Sequence, residues 1–155
     1  MRRRRAEKRK VDLDPVYNSP ILGKFINILM RDGKKSTACR IVYNVLATLE
    51  KKFEDDPVKV FYKALDNARP HVVVKPRRIG GATYQVPVEV TKDRGVAISM
   101  RWIRDYSRAK KGRPIHIKLA DEFTNCYKNE GPVIKKRDDT HKMAEANRAF
   151  AHFRF

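Results

Sequence analysis

The chain has 155 residues, of which 36 are lysine or arginine and 18 are aspartate or glutamate, giving a formal net charge of +18. A hydrophobic share of 41% excludes a wholly disordered chain, and the length suits one domain with a modest core. So large an excess of positive charge is self-repulsive in a compact protein, which favours a polyanionic partner such as nucleic acid.

Several classes of protein are not expected from this sequence. The two cysteines, Cys39 and Cys126, have neither a CxxC spacing nor a histidine cluster beside them, so we expect no disulfide framework and no zinc site. No apolar run follows the basic start of the chain, and no segment is long and apolar enough to span a bilayer. The four histidines are dispersed and belong to no nucleophile or metal motif. We therefore expect an intracellular protein with no membrane partner, no cofactor and no enzymatic activity.

Residues 1–19 are predicted to form an extended basic arm that becomes ordered on its partner. The segment is polar, then rich in turn residues, and its positive charges suit the grooves of folded RNA. A localisation signal is the alternative interpretation of the same charge run. The basic residues of the arm are Arg2, Arg3, Arg4, Arg5, Lys8, Arg9 and Lys10.

Apolar residues at helical spacing predict three helices in the first half of the chain. The first is expected from residue 21 until Gly33 ends it, and the second has an apolar stripe over residues 38–53. The third has a strong start signal in Asp56-Pro57, an N-cap followed by proline at the first helical position, and stops at Pro70.

A two-stranded β-hairpin is predicted over residues 72–90, where the period changes from helical to alternating. Both halves are rich in valine, and two adjacent glycines between them are typical of a tight turn. Glycines at a hairpin tip allow close approach of a sugar–phosphate backbone, although an ordinary charged, solvent-exposed hairpin would have the same pattern. The candidate binding residues are Lys75, Arg77, Arg78, Gly80 and Gly81.

Helical periodicity returns after the hairpin and predicts three more helices. The fourth is expected to begin at Asp93 as its cap and to run to Gly112. The fifth covers about residues 115–129 and is closed by Gly131-Pro132, and the sixth covers about residues 132–148.

An aromatic and basic tail, residues 149–155, completes the chain. Its aromatic rings are possible stacking platforms for bases, whereas the other aromatic residues, including Trp102, are interpreted as core. The predicted fold is therefore mainly α, with one six-helix domain over residues 20–155 and a protruding hairpin between helices three and four.

The fourth helix gives the strongest physical argument for a phosphate-binding surface. At ~100° per residue its basic residues fall within an arc of about 100°, while Val96, Met100 and Ile103 occupy the remaining arc. Only Asp105 lies near the basic arc, so most of these cations have no acidic partner on the helix. A solvated face with scattered ion pairs is the alternative. The candidates are Arg94, Arg101, Arg104, Arg108 and Lys111.

Smaller basic clusters occur at the starts of two helices. Each cluster alone is more typical of a solvated surface, but together with the fourth helix they become candidates for contact with RNA. They comprise Lys34 and Lys35 before the second helix and Lys135, Lys136 and Arg137 at the start of the sixth. Lys142 and Arg148, further along the sixth helix, are also candidates.

Three stretches resemble one known family, in the order in which that family has them. Residues 25–36 (FINILMRDGKKS) resemble its first helix and turn, and residues 75–90 (KPRRIGGATYQVPVEV) resemble its hairpin. Residues 135–152 (KKRDDTHKMAEANRAFAH) resemble its C-terminal signature. The family is the bacterial-type small-subunit ribosomal protein of the seventh family, and the resemblance runs through the entire chain.

The resemblance implies a specific place in the ribosome. Members of the family have six helices and a hairpin arm, bind the 3′ major domain of small-subunit ribosomal RNA as primary binders, and nucleate assembly of the subunit head. They lie at the subunit interface, next to the small-subunit proteins of the ninth and eleventh families. By position, the hairpin candidates would face the exit-site transfer RNA and messenger RNA, and the other basic candidates would bind ribosomal RNA. The ribosome implied is cytoplasmic or organellar.

Two other functions fit parts of the pattern. A DNA-architectural protein also uses a basic β-arm on a helical body and can insert a hairpin proline between bases. A six-helix monomer with a single arm fits this function less well than a dimer with paired arms would. A cationic membrane-surface protein is disfavoured, because no amphipathic helix combines a basic face with an exposed aromatic face.

Overall fold

A computed structural model of the chain describes Ala6 and residues 13–153. The described part contains six α-helices, a two-stranded antiparallel hairpin between the third and fourth of them, and a short terminal 3₁₀ helix. The predicted mainly α fold is confirmed. The elements are α1 (Pro20–Leu29), α2 (Lys35–Phe53), α3 (Pro57–Asn67), β1 (Val72–Ile79), β2 (Ala82–Glu89), α4 (Lys92–Ala109), α5 (Ile115–Tyr127), α6 (Gly131–Ala146) and the 3₁₀ helix (Arg148–Phe153).

Three phenylalanines from three helices form the centre of the core. Phe25 of α1, Phe61 of α3 and Phe123 of α5 are at most 1% exposed. Their ring centroids lie 5.6 Å (Phe25 to Phe61), 5.4 Å (Phe25 to Phe123) and 5.1 Å (Phe61 to Phe123) apart. These spacings favour attraction between the rings in addition to the burial of their apolar area. The contact joins three helices that are far apart in sequence, so it closes the helical body.

The first and third helices begin where polar caps and prolines place them. The Ser19 side chain accepts a hydrogen bond from the Leu22 N–H at 3.2 Å, and Asp56 accepts one from the Val58 N–H at 2.9 Å. Both side chains thereby satisfy an N–H that has no partner within its helix. The predicted end of α1 at Gly33 is wrong. The helix ends at Leu29, because Met30 adopts extended backbone angles before the turn.

The segment just before α1 is folded against α2. Asp14 is 2% exposed and accepts hydrogen bonds from the Tyr43 hydroxyl at 2.8 Å and the Tyr17 N–H at 2.9 Å. Burial, followed by this bond to Asp14, raises the pKa of Tyr43 to about 12. The folded part therefore begins before Pro15, earlier than the predicted arm boundary at residue 19. Residues 1–5 and 7–12, and with them every basic arm candidate from Arg2 to Lys10, lie outside the described residues.

Two predicted boundaries of α4 are wrong. Thr91 is the N-cap, and Asp93 lies in the first turn, where its negative charge still suits the positive end of the helix dipole. The helix ends at Ala109, because the backbone turns extended at the next residue and Gly112 has φ of 86°. Lys111 is therefore not on the helix and does not belong to its basic arc.

Gly131-Pro132 begins α6, whereas the sequence pattern predicted that it closes α5. Helix α5 ends at Tyr127, and Gly131 has φ of 89°, a conformation that strains other residues. A Cβ at Gly131 would also lie 3.0 Å from the Cβ of Asn125. The backbone angle thus favours glycine, a Cβ there would also require the Asn125 side chain to shift, and proline suits the first turn of the helix that follows.

The hairpin turns at Gly80-Gly81 as predicted. Ile79 pairs with Ala82, and the two glycines between them have φ of 56° and 88°, as a turn of the type I′ class requires. Val86 is completely buried, because the base of the hairpin packs against α6 and the 3₁₀ helix. Only the half that carries the glycines protrudes from the body.

Phe123→Ala should remove about 3–5 kcal/mol of unfolding free energy, because it empties the centre of the phenylalanine cluster. Met143→Ala on α6 serves as the control, since Met143 is 51% exposed and its truncation should cost less than about 1 kcal/mol. Urea denaturation followed by circular dichroism measures both. Equal losses in the two variants would show that the cluster is not the centre of the core.

Candidate nucleic-acid interface

Helix α4 presents part of the predicted basic face to solvent. Arg94 and Arg101 are both exposed, and Arg101 donates only to the Ala97 carbonyl of its own helix, at 3.1 Å. Neither side chain has an acidic partner among the described residues. Both guanidinium groups are therefore available to phosphates.

Two other arginines of the same face are used within the fold. Arg104 donates to the Ile28 carbonyl at 3.3 Å, and Arg108 donates to the Leu29 carbonyl at 2.9 Å. These carbonyls lie at the C-terminal end of α1, where helical partners are lacking and the helix dipole is negative. Arg104 also pairs with Asp105 at 2.7 Å. The sequence pattern did not reveal this role, because it depends on α1 lying across α4.

The turn between α1 and α2 adds cations beside the end of α4. A cavity of about 220 Å³ is lined by Arg31, Lys34 and Arg108, so the fold brings predicted candidates from two distant segments together. Lys35 is exposed next to them. Arg31 was missed by the sequence reasoning, although it stands in the same charged turn as Lys34 and Lys35.

The hairpin exposes its predicted basic residues at the protruding end. Lys75, Arg77 and Arg78 are all exposed. An added Cβ at Gly80 or Gly81 would meet no atom within 4 Å. The tip is thus an open, cationic surface that a nucleic-acid backbone can approach closely.

Some basic residues of α6 are exposed to solvent, and others form hydrogen bonds or ion pairs within the protein. Lys135, Lys136 and Lys142 are exposed and have no ion-pair partner in the part of the chain that the structure describes. Arg137 instead donates to the Asn67 carbonyl and pairs with Asp138 at 2.7 Å. Arg148, just beyond the helix, is exposed and lies 3.4 Å from the Glu145 carboxylate.

His141 holds the base of the hairpin, a role that no sequence motif indicated. Its Nε2 accepts a hydrogen bond from the backbone N–H of His71, at 3.0 Å, just before β1 begins. Burial, followed by the charges of His71 and Arg137, lowers the pKa of His141. The lowered pKa keeps the ring neutral near pH 7, and only a neutral ring has the lone pair that this bond needs.

The aromatic tail packs against the hairpin. The rings of Phe150 and Phe153 each lie 5.3 Å from the ring of Tyr84, measured between centroids. These contacts occupy ring surface that the sequence had suggested for stacking on bases, and they join the 3₁₀ helix to β2.

A second group of cations borders a groove between α1, α3 and α4. Two cavities, of about 370 Å³ and 520 Å³, share Ile21, Val96 and Lys92, and Lys24 and Lys63 line one each. The sequence reasoning did not select these lysines, because each stands alone in the chain. Only the packing of the three helices brings them to one groove.

Some positive charge is taken up inside the protein. Lys110 forms an ion pair with Glu122, whose side chain is completely buried, and the Lys110 carbonyl accepts a bond from the Lys118 ammonium at 2.6 Å. At the surface, Lys52 pairs with Asp121 at 3.0 Å. Net charge alone therefore overstates the number of cations that a ligand can reach.

Within the described residues, no helix is long and apolar enough to cross a membrane. In the same part of the chain, no group of three histidine, cysteine or acidic side chains is placed to hold a metal ion. Both cysteines are free, and burial, with a smaller effect from Glu122, raises the pKa of the Cys126 thiol to about 12. That thiol is therefore protonated near neutral pH.

Fold and surface together have the features of a nucleic-acid-binding protein, with exposed cations on α4, on α6 and at the hairpin tip. The family model for ribosomal protein S7p/S5e matches residues 1–148. A curated small ribosomal subunit protein uS7 of an Anaeromyxobacter strain is 56% identical over 154 residues, covering 99% of each chain. Those of Thermosipho africanus and Fervidobacterium nodosum are 54% and 56% identical over 155 residues, covering each chain completely.

The chain belongs to the ribosomal protein S7p/S5e family. This membership confirms the resemblance that the sequence showed. As a member of this family, the chain is a structural constituent of the ribosomal small subunit that binds RNA and is not an enzyme. The roles of individual residues stay predictions.

The stability of the protein should fall as the pH decreases below about 6.5, the usual pKa of histidine. The pKa of His141 is lower in the folded than in the unfolded chain. Below about pH 6.5 the unfolded chain therefore binds this proton more readily, and the contribution of His141 to stability, complete above that pH, is lost. Urea denaturation across about pH 8 to 5 measures the change.

His141→Gln should keep a hydrogen-bond acceptor near His71 and reduce the pH dependence. His152→Gln is the control, because His152 is exposed and its removal should leave the profile unaltered. If His141→Gln retained the complete pH dependence, the hydrogen bond to His71 would not be its source.

Proposed function

We propose that the protein binds the 3′ major domain of small-subunit ribosomal RNA as a primary binder and nucleates assembly of the subunit head. The observation that carries this proposal is the family match over nearly the whole chain, combined with exposed cations, such as Arg94, Arg101 and Lys135, that have no acidic partner among the residues the structure describes. The relatives are named as proteins of the small ribosomal subunit, and the same assembly is proposed for this chain, in a cytoplasmic or an organellar ribosome.

Binding to ribosomal RNA is proposed to depend on cations from several elements. Lysine and arginine side chains displace condensed counterions from phosphates, which gives affinity without base specificity. Those best placed are Arg94 and Arg101 of α4, Lys34 and Lys35 at the start of α2, and Lys135, Lys136 and Lys142 of α6, which the structure leaves exposed. The arm residues Arg2 to Lys10 are proposed to extend this surface.

The hairpin is proposed to serve a second RNA. Its tip lies away from the helical body and combines Lys75, Arg77 and Arg78 with two unobstructed glycines. We assign it to the exit-site transfer RNA and messenger RNA at the subunit interface. Contacts with the small-subunit proteins of the ninth and eleventh families belong to the same proposal.

Replacing Arg94 and Arg101 together by glutamine should weaken binding to head-domain ribosomal RNA and leave the unfolding free energy nearly unchanged. Each lost phosphate contact should reduce the slope of log affinity against log salt by about one, so the pair should reduce it by about two. Filter binding over a range of salt concentrations, with circular dichroism as the fold control, measures both quantities.

Arg104→Gln is the matched comparison from the same helix. It removes a donor to the end of α1 and should cost about 1 kcal/mol of stability, with a smaller effect on the salt slope. If the Arg94 and Arg101 double variant bound RNA with the wild-type slope, the exposed face of α4 would be only solvated.

Replacing Lys75 and Arg78 by glutamine should leave ribosomal-RNA affinity within about twofold and weaken exit-site transfer-RNA binding by about tenfold, the loss expected from one or two phosphate contacts. Transfer-RNA binding is measured on reconstituted small subunits, and ribosomal-RNA affinity is measured with isolated head-domain RNA. The control replaces Lys59 and Lys128, which are also exposed, and should affect neither. Loss of ribosomal-RNA binding in the hairpin variant would contradict the assignment of the hairpin.

A further inference from the structure

We propose that the groove between α1, α3 and α4 receives one unstacked base of an RNA strand, with the ring of Tyr62 as its stacking surface. The two cavities of the groove, of about 520 Å³ and 370 Å³, share Ile21, Lys92 and Val96 and so form one continuous depression. These volumes are within the range of small-ligand sites, so the groove admits a single base but not a duplex. The inference rests on the RNA-binding function proposed above and adds a site for a base to it.

Tyr62 is an aromatic ring that the fold leaves accessible. It lines the larger cavity and is half-buried, whereas the neighbouring Phe61 is completely inside the core. The Tyr62 and Ser19 hydroxyls share a hydrogen bond of 2.6 Å, which fixes the ring relative to the start of α1. A ring that is already fixed loses little conformational freedom when a base stacks on it, and such stacking is a main source of affinity for single-stranded RNA.

Apolar side chains line the groove beside this ring. Ile21 and Ile28 contribute from α1, and Val96 and Ala97 contribute from α4; all four are half-buried. Met100, which is only 1% exposed, lies beneath them. Proteins bind unstacked RNA bases by covering the apolar faces of the ring system. A base in the groove would therefore remove from water both its own faces and side chains that the fold leaves partly exposed.

Cations at the groove suit the phosphates on either side of the inserted base. Lys24 and Lys92 line it and are exposed. Neither forms an ion pair with any residue that the structure describes, so both ammonium groups are available to phosphates. Lys63 also lines the groove, but its ammonium lies over the ring of Tyr127, 4.5 Å from the centroid. We therefore assign the phosphates to Lys24 and Lys92.

Polar groups of the groove suit the edge of a base. Asn27 lines the smaller cavity, and its exposed amide has no hydrogen-bond partner among the described residues. An amide both donates and accepts, and each of the four bases has a donor beside an acceptor on its pairing edge. Asp93 of the same cavity accepts from a base amino group or a ribose hydroxyl, and Asp66 of the larger cavity is paired with Arg69 at 3.0 Å. We expect these groups to bind any base, with little selection for its identity.

The groove opens next to the exposed basic face of α4. Arg101 donates a hydrogen bond to the carbonyl of Ala97, a residue that lines the groove, at 3.1 Å. An RNA strand bound to Arg94 and Arg101 therefore passes the groove. An acidic segment of a partner protein would meet the same lysines, but nothing in such a segment needs an aromatic ring beside them. The ring of Tyr62 thus favours an RNA base as the occupant.

Contacts that need no ligand hold the groove open. Arg104 of α4 donates to the Ile28 carbonyl of α1 at 3.3 Å. Near the start of α4, a Cβ added at Gly95 would lie 2.7 Å from the Cγ of Arg69, so α4 begins in direct contact with the residues that follow α3. These contacts fix α4 against both other helices. A site formed in advance loses less conformational entropy on binding.

The test uses nine-residue RNA backbones in which every ribose is abasic except the central one. That position carries adenosine, uridine or no base, so the probes differ by a single base and share all phosphates. Fluorescence anisotropy with the full chain should show about tenfold tighter binding of the adenosine probe than of the fully abasic probe, the gain expected from one stacked base. Uridine should give a smaller gain, because its single ring buries less apolar area.

Two changes with matched controls locate the site. Tyr62→Ala should abolish the gain, whereas Tyr62→Phe should keep it, because the ring is retained. Val96→Phe should fill the part that both cavities share and abolish the gain. Val58→Phe, at a half-buried valine of α3 outside the groove, should keep it. All four variants should bind the fully abasic probe like the wild type, because no cation is removed, and circular dichroism verifies their fold.

Equal affinity of the wild type for the adenosine and the fully abasic probes would overturn the proposal and leave the proposed function intact. A gain that survives both Tyr62→Ala and Val96→Phe would also overturn it, since the base would then bind elsewhere. Binding of an acidic, leucine-containing peptide that is lost in Val96→Phe, without any gain from a base, would assign the groove to a protein partner instead. Failure to bind any RNA, including head-domain ribosomal RNA, would count against the proposed function itself.

Discussion

The contact among Phe25, Phe61 and Phe123 is the interaction on which the remaining structure depends. It joins α1, α3 and α5 in a chain whose +18 net charge opposes compaction. Burial of apolar area must exceed both the conformational entropy and that repulsion. Because the cluster fixes α1 against α5, it also determines where α4 crosses α1, and hence which arginines of α4 are used inside the protein. The basic surface is therefore a consequence of the apolar core.

Positive charge in this protein serves two purposes that sequence alone does not separate. Arg108 and Arg137 donate hydrogen bonds to backbone carbonyls of other segments, and Lys110 neutralises the buried Glu122. Arg94, Lys135 and Lys142 instead stand in solvent without an acidic partner in the described part of the chain. Like-charge repulsion among these exposed groups is relieved when phosphates approach, so the free protein gives up some stability for its affinity.

The hairpin is anchored at its base and open at its tip. The Val86 side chain is buried, His141 accepts the bond that precedes β1, and the terminal aromatic rings pack against Tyr84. These contacts set the direction of the arm, while a Cβ added at Gly80 or Gly81 would meet none of the described residues within 4 Å. An anchored arm presents its cations in one orientation, which reduces the entropy lost when a ligand binds.

The sequence by itself determined the six helices, the hairpin and the cationic character of the protein, because periodicity, caps and turn glycines act over a few residues. It placed the ends of α1 and α4 wrongly, because Gly33 and Gly112 signal a turn but not the residue at which the helix stops. The tertiary structure alone decided which charges are free. Arg101 and Arg104 look equivalent on a helical wheel, yet only Arg104 meets the end of α1. The tertiary structure alone also decided that His141, the tail and the hairpin line one cavity. Such outcomes depend on contacts between residues about 70 positions apart, and local pattern carries no information about those.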